Sequence, residues 1–299
     1  MQSAGEKVTV SSRIRYSSRG QAIAPATVPI TKDAFQDHGN TMIYWLSGAG
    51  WLINSHGTTL MVDPLISYKV LEKGEKIISE LDFPLLQKLP LEAGDVTQLD
   101  AVLFTHADGD HQGLMTSKIL CRNTQAVFCG PAPAYRRLSD FGIPGHRGRL
   151  TEVGKEFQIG SVSILPTIAD HRWQNIAPEF YGEPYEIEDC CGYLLKTPDG
   201  TFWITGDTVL CPEHLKMTGV DAMALDISEG KWFWHMGRDD TIKLANTLRQ
   251  THLIPHHYGT YDEPFHPYFC TDPASFINEI DDAAFRFHIL GPGEGFELR

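Results

Sequence analysis

The feature that most limits what this chain can become is the six-residue run His106-Ala107-Asp108-Gly109-Asp110-His111. It follows directly on the apolar stretch LDAVLFT, which reads as a strand. Two carboxylates and two imidazoles crowded into one tight loop repel one another and lose hydration unless a cation joins them. Three more strand-like runs end in the same kind of residue: VSILPTIAD in His171, TFWITG in Asp207 and THLIP in His257. Strand ends on one edge of a sheet sandwich can converge in space. Imidazole and carboxylate together suit zinc, manganese or iron. Seven such groups are enough for two ions about 3.5–4 Å apart that share a carboxylate.

The order of the remaining runs predicts the frame around that loop. Residues 1–40 are polar, with scattered Ser, Gly and Pro, and read as an N-terminal extension. From 41, TMIYWL, GWLINS and TTLMVDP form a meander of short strands. Residues 68–92, interrupted by Pro84 and Pro90, read as a loop with short helices over a site. Beyond the donor loop, AVFCG, VSILPTI, GYLLKT and TFWITGD are strands, while PAYRRLSDFGI and RDDTIKLANTLRQT have helical spacing. In the second helix Ile242, Leu244, Ala245 and Leu248 share a face, and Asp239 and Asp240 suit its N-terminus. This predicts an α/β protein of the αββα sandwich type, with two mixed β-sheets face to face and helices outside. A single domain over 41–299 follows the extension.

Composition narrows the partners. The net charge of −13, with no basic run, excludes nucleic-acid binding through a broad basic face and favours a small-molecule substrate. The six cysteines form no Cys-x-x-Cys pair and read as reduced thiols. The first 20 residues lack an apolar signal core, and no run approaches the ~18 apolar residues of a membrane span. A cytoplasmic protein is expected, and the sequence leaves a homo-oligomer open.

The order His-x-[His]-x-Asp-His, then His, then Gly-Asp, then His resembles the metallo-β-lactamase superfamily. Within it, WLSGAGWLINSHGTTLMVDPL and HMGRDDTIKLANTLRQTHLIPHHYGTYD resemble the branch of ascorbate-6-phosphate lactonases and N-acyl-phosphatidylethanolamine phospholipase D-like enzymes. The likeness covers residues 41–262. It implies the metallo-β-lactamase fold, with one ion held by His106, Asp108 and His171 and a second by Asp110, His111 and His257. Asp207 would bridge both, and Asp63 would steady the ligands from behind. The pattern Pro-x-His-Tyr-Gly selects His257 over His256. Two departures stand out: Asp108 where most of the superfamily has His, and Gly48 where this branch usually has His.

The implied reaction is attack by a metal-held hydroxide on a carbonyl or phosphoryl centre. Asp110 would be ligand and proton acceptor together. Tyr258, Thr260 and Tyr261 would line the mouth, and His235, Arg238 and His266 are candidate substrate or anion contacts. A lactone, most like that of a phosphorylated sugar, is the leading substrate class, with a phosphodiester as the alternative. A di-iron redox protein of the flavodiiron type is the rival from another class, since that branch also carries a carboxylate at the position of Asp108. The chain has no room for its flavodoxin-like domain after 262. The hard oxygen of Asp108 favours Mn²⁺ or iron over Zn²⁺.

Overall fold

The computed structural model describes residues 13–67, 84–172, 175, 185–229, 234–262 and 269–299. Most of the loop expected over 68–92, and His266, lie outside these. The first elements are two short paired strands, β1 (Arg15–Tyr16) and β2 (Ala22–Ile23), within the stretch read as an extension. This segment packs onto the body. Ala22 and Ala24 are buried in the main core, and the Gln21 amide donates to the carbonyls of Tyr261 (2.8 Å) and Phe269 (3.1 Å).

The aromatic and β-branched runs after residue 40 form the expected meander of β3 (Thr41–Ser47), β4 (Gly50–Ser55) and β5 (Thr58–Val62). Then β6 (Ala101–Leu103), β7 (Val127–Gly130) and β8 (Gly148–Leu150) add in parallel. Parallel neighbours need crossovers, and helices α1 (Leu114–Asn123) and α2 (Ala132–Asp140) supply them. The second sheet repeats the plan. Antiparallel β9 (Phe157–Ile159), β10 (Val162–Thr167), β11 (Gly192–Thr197) and β12 (Gly200–Ile204) lead into parallel β13 (Ala222–Asp226) and β14 (His252–His256). Helix α3 (Gly237–Thr247) joins the last two and buries Leu244 and Ala245, as its spacing predicted. A final strand, β15 (Gly295–Leu298), pairs with β3 and closes the first sheet.

Two mixed sheets, of six and seven strands, result. Alternation along β4 divides its side chains. Trp51 and Ile53 enter the core shared by both sheets, while Leu52 joins Met61, Phe104, Phe128 and the buried side of α1 and α2. Trp51 meets Phe202 of the opposite sheet edge-on at 5.3 Å. The αββα sandwich read from the sequence is the observed fold. All six cysteines are free thiols. Among the described residues no helix is long and apolar enough to cross a membrane.

The far side of β14 carries a pair of histidines. His252 Nδ1 and His288 Nε2 share one hydrogen bond at 2.9 Å, and burial, then the neighbouring His252, pushes His288 from 6.5 down to about 4. A depressed folded pKa means that the unfolded chain takes up a proton which the folded chain refuses. Stability is therefore lost as pH falls from about 6.5 toward about 4. His288→Gln should show a smaller drop in Tm than the wild type between about pH 7 and about pH 5. Thermal melts with equal drops in both proteins would locate the acid sensitivity elsewhere.

Candidate metal centre

One edge of the sandwich collects the polar strand ends. Asp63 follows β5, the 106–111 loop follows β6, His171 and Asp207 lie just beyond β10 and β12, Asp226 ends β13, and His257 follows β14. The parallel pairing of β5 with β6, and of β12 with β13 and β14, points these termini the same way. Local backbone completes the aim. Gly206, just before Asp207, has φ 65°, and a Cβ there would come within 2.9 Å of the Cys191 carbonyl oxygen. Asp63 (φ 44°) and His257 (φ 64°) adopt the left-handed region although neither is glycine, a cost that concentrates at functional sites.

The structure brings all seven expected donors together. The ligand atoms of His106, Asp108 and His171 lie within 4.8 Å of one another, and so do those of Asp110, His111 and His257. Asp207 stands between the triads: its Oδ2 is 3.2 Å from His111 Nε2 and 3.4 Å from His257 Nε2. Its Oδ1 is buried and has no hydrogen-bond partner among the described residues. Behind the imidazoles stand groups that fix their rings. Asp63 Oδ2 holds His111 Nδ1 at 2.8 Å, Ser228 Oγ holds His257 Nδ1 at 2.7 Å, and the Trp234 carbonyl accepts from His171 Nδ1 at 2.7 Å.

Electrostatics tests whether a cation suits these residues. Burial, then the adjacent Asp110, pushes the Asp108 carboxyl up to about 6. Burial alone would drive the proton off His111, yet Asp207, Asp63 and Asp110 outweigh it and hold that imidazole well above its usual range. For the same reason His257 rises to about 9 against burial, through Asp207 and its bond to Asp110. These protons neutralise buried carboxylates. Divalent cations held among the same atoms would supply fixed charge in place of these protons. On the other side burial leaves His106 well below its usual value and His171 at about 4, so both are neutral and carry a lone pair. The donor set fits divalent cations.

The expected mouth is not where the sequence reading put it. Tyr258 is fully buried and stacked on Trp45 at 5.4 Å. Thr260 Oγ1 accepts from the Gly48 amide at 2.7 Å, which docks the first hairpin beside His257. Tyr261 is buried edge-on against Phe269, and Leu85 pairs with it. These residues build the seat of His257 instead of lining an opening. Arg238 is tied to Glu279 and to the Ser275 carbonyl, outside the donor cluster. His256 points between the sheets, edge-on to Trp51 at 5.5 Å, so the turn at His257 separates two adjacent histidines. His235 is 6% exposed and sits among the donors, with Nδ1 2.7 Å from Asp226 Oδ2. The sequence reading missed Asp226. Its local sequence, a carboxylate at the end of AMALD, lacks the β-branched and aromatic residues that mark TFWITG before Asp207 as a strand.

The chain is similar to known proteins over most of its length. A family model described as a β-lactamase superfamily domain matches residues 58–258. A UPF0173 metal-dependent hydrolase of Pyrococcus furiosus is 26% identical over 235 residues, covering 76% of this chain and 94% of that protein. Another from Geobacillus sp. is 26% identical over 258 residues, covering 82% and 95%. Among solved structures, isothiocyanate hydrolase from Delia radicum gut bacteria superposes with a TM-score of 0.66 at 17% identity, over 86% of this chain and 100% of that one. At that identity the likeness shows a shared fold.

Proposed function

The chain belongs to the β-lactamase superfamily domain family and is a metal-dependent hydrolase, and on that premise we propose that it binds two divalent ions and opens a lactone of a small molecule. The observation that carries this reading is the pair of donor triads flanking Asp207. The branch resembled by the hairpin motif around 45–65 and the run 235–262 holds lactonases and phospholipase D-like enzymes alike. What favours a carbonyl centre over a phosphodiester is that Arg238, one of the candidate anion contacts, is engaged by Glu279 and Ser275.

When bound, such ions bring the pKa of water from 15.7 to about 7 and polarise the electrophile. The chain's own residues do the rest. His106, Asp108 and His171 fix one side of the site, Asp110, His111 and His257 fix the other, and Asp207 holds the two in register. Asp110 orients the attacking water and accepts its proton. Its side chain keeps 13% exposure against 4% for Asp207, so it alone of this pair also meets solvent. Asp63 and Ser228 hold His111 and His257 so that Nε2 faces inward.

The test is reconstitution of chelated protein with Mn²⁺, Fe²⁺ or Zn²⁺, assayed on lactones, phosphodiesters and cyclic nucleotides. Lactone hydrolysis is expected, fastest with Mn²⁺ or iron. Asp108→His exchanges a hard oxygen for an imidazole and should shift the preference toward Zn²⁺ by roughly tenfold. Turnover of phosphodiesters but of no lactone would overturn the substrate class. Fastest turnover with Zn²⁺, unchanged in Asp108→His, would overturn the donor argument.

A further inference from the structure

We propose that His235 is itself a metal ligand, giving Nε2 to the ion it shares with His171 and Asp207 while Asp226 holds its ring. The inference rests on the two-ion reading above and adds a donor to it.

Distance comes first. The ligand atoms of His171, Asp207 and His235 lie within 4.8 Å of one another, and His235 Nε2 is 3.7 Å from Asp207 Oδ2. Two donors about 2.1 Å from one ion are at most about 4.2 Å apart, so that separation falls within range. The ring also lies inside the cluster, its centroid 5.3 Å from that of His171 and 5.2 Å from that of His257.

The support behind the ring is the stronger argument. Asp226 is fully buried and ends β13. Its Oδ1 accepts from the Ser228 amide at 2.9 Å and its Oδ2 meets His235 Nδ1 at 2.7 Å. A carboxylate at Nδ1 keeps the proton there and turns the Nε2 lone pair the other way, toward Asp207. The chain builds the same device at the opposite side of the site. Asp63, at the end of β5, holds His111 Nδ1 at 2.8 Å, and His111 Nε2 lies 3.2 Å from the same Asp207 oxygen. Two strand-end aspartates thus present two imidazoles to one carboxylate oxygen, one from each sheet. A substrate contact needs neither this depth nor a buried carboxylate fixing its tautomer.

The experiment titrates the chelated wild type, His235→Ala and Asp226→Asn with Co²⁺, following bound ions per chain and the visible absorption of the cobalt. The wild type should bind two ions. His235→Ala should bind one of them at least roughly 10–100-fold more weakly, with a changed cobalt spectrum, and Asp226→Asn should give the same change in smaller degree. Added imidazole should restore the spectrum of His235→Ala. If the wild type binds no ion, the two-ion reading itself fails. If the wild type binds two and His235→Ala matches it in affinity and spectrum while KM alone rises, His235 contacts substrate and the proposal is overturned. Should His235→Ala not fold, Asp226→Asn decides: an unchanged affinity and spectrum there overturns it too.

Discussion

Asp207→Ala should leave the chain with no more than one bound ion and reduce turnover by more than the roughly 10–100-fold typical of residues that only steady a metal ligand. The reason is position. One oxygen of Asp207 lies near His111 and His257, the other is buried without a hydrogen-bond partner among the described residues, and the carboxylate also groups with His106 and with His171. No other described carboxylate lies between the triads. Its removal also strips the main negative charge that holds protons on His111 and His257, so the empty site relaxes and the fold is expected to survive. The control is His256→Ala. That ring is buried against Trp51, and its loss costs core packing while leaving the donors in place. Elemental analysis of both variants checks the pair. Two ions retained in Asp207→Ala, or both lost in His256→Ala, would reverse the assignment of these neighbouring strand ends.

What the sequence disclosed followed from where polarity interrupts apolar runs. His106, His171, Asp207 and His257 each break a strand-like pattern, and such a break survives folding because the strand end fixes where the next side chain points. Residues chosen for adjacency in sequence fared worse. Tyr258 follows a candidate ligand by one position, yet the left-handed turn at His257 rotates it into the core against Trp45. The strand β13 was illegible for a different reason. Its AMALD run holds no β-branched or aromatic residue, and Ala, Met and Leu are good helix formers. It is a strand because parallel neighbours bind it on both edges. With β13 unread, Asp226 had no strand to end and His235 no partner, so half of the second aspartate–histidine pair was invisible. Hydrogen bonds between segments distant in sequence, such as those of Gln21 to the Tyr261 and Phe269 carbonyls, leave no local pattern at all.

Asp63→Asn should keep the fold and lose one ion. Asp63 accepts from the Thr105 amide at 2.8 Å through Oδ1, and through Oδ2 it meets the Thr105 hydroxyl at 2.5 Å and His111 Nδ1 at 2.8 Å. Asparagine matches the shape and tolerates the left-handed backbone at φ 44°, so neither packing nor strain changes much. Its oxygen must still face the Thr105 amide, which leaves the NH₂ group facing His111. An amide donating to Nδ1 requires that nitrogen to be unprotonated, which moves the ring's proton to Nε2, where an ion needs the lone pair. The Asp110–His111–His257 triad should therefore lose affinity by roughly 10–100-fold while the other triad keeps its ion. Asp63→Ala would be a different experiment. It leaves the buried Thr105 amide unpaired at about 1–3 kcal/mol and His111 Nδ1 with only the Thr105 hydroxyl at 3.3 Å, and any loss of metal would then be mixed with unfolding. Metal titration of Asp63→Asn beside its melting curve separates the two. A wild-type Tm with both ions bound at wild-type affinity would mean that the tautomer of His111 does not depend on Asp63, and the carboxylate would then serve only the Thr105 backbone.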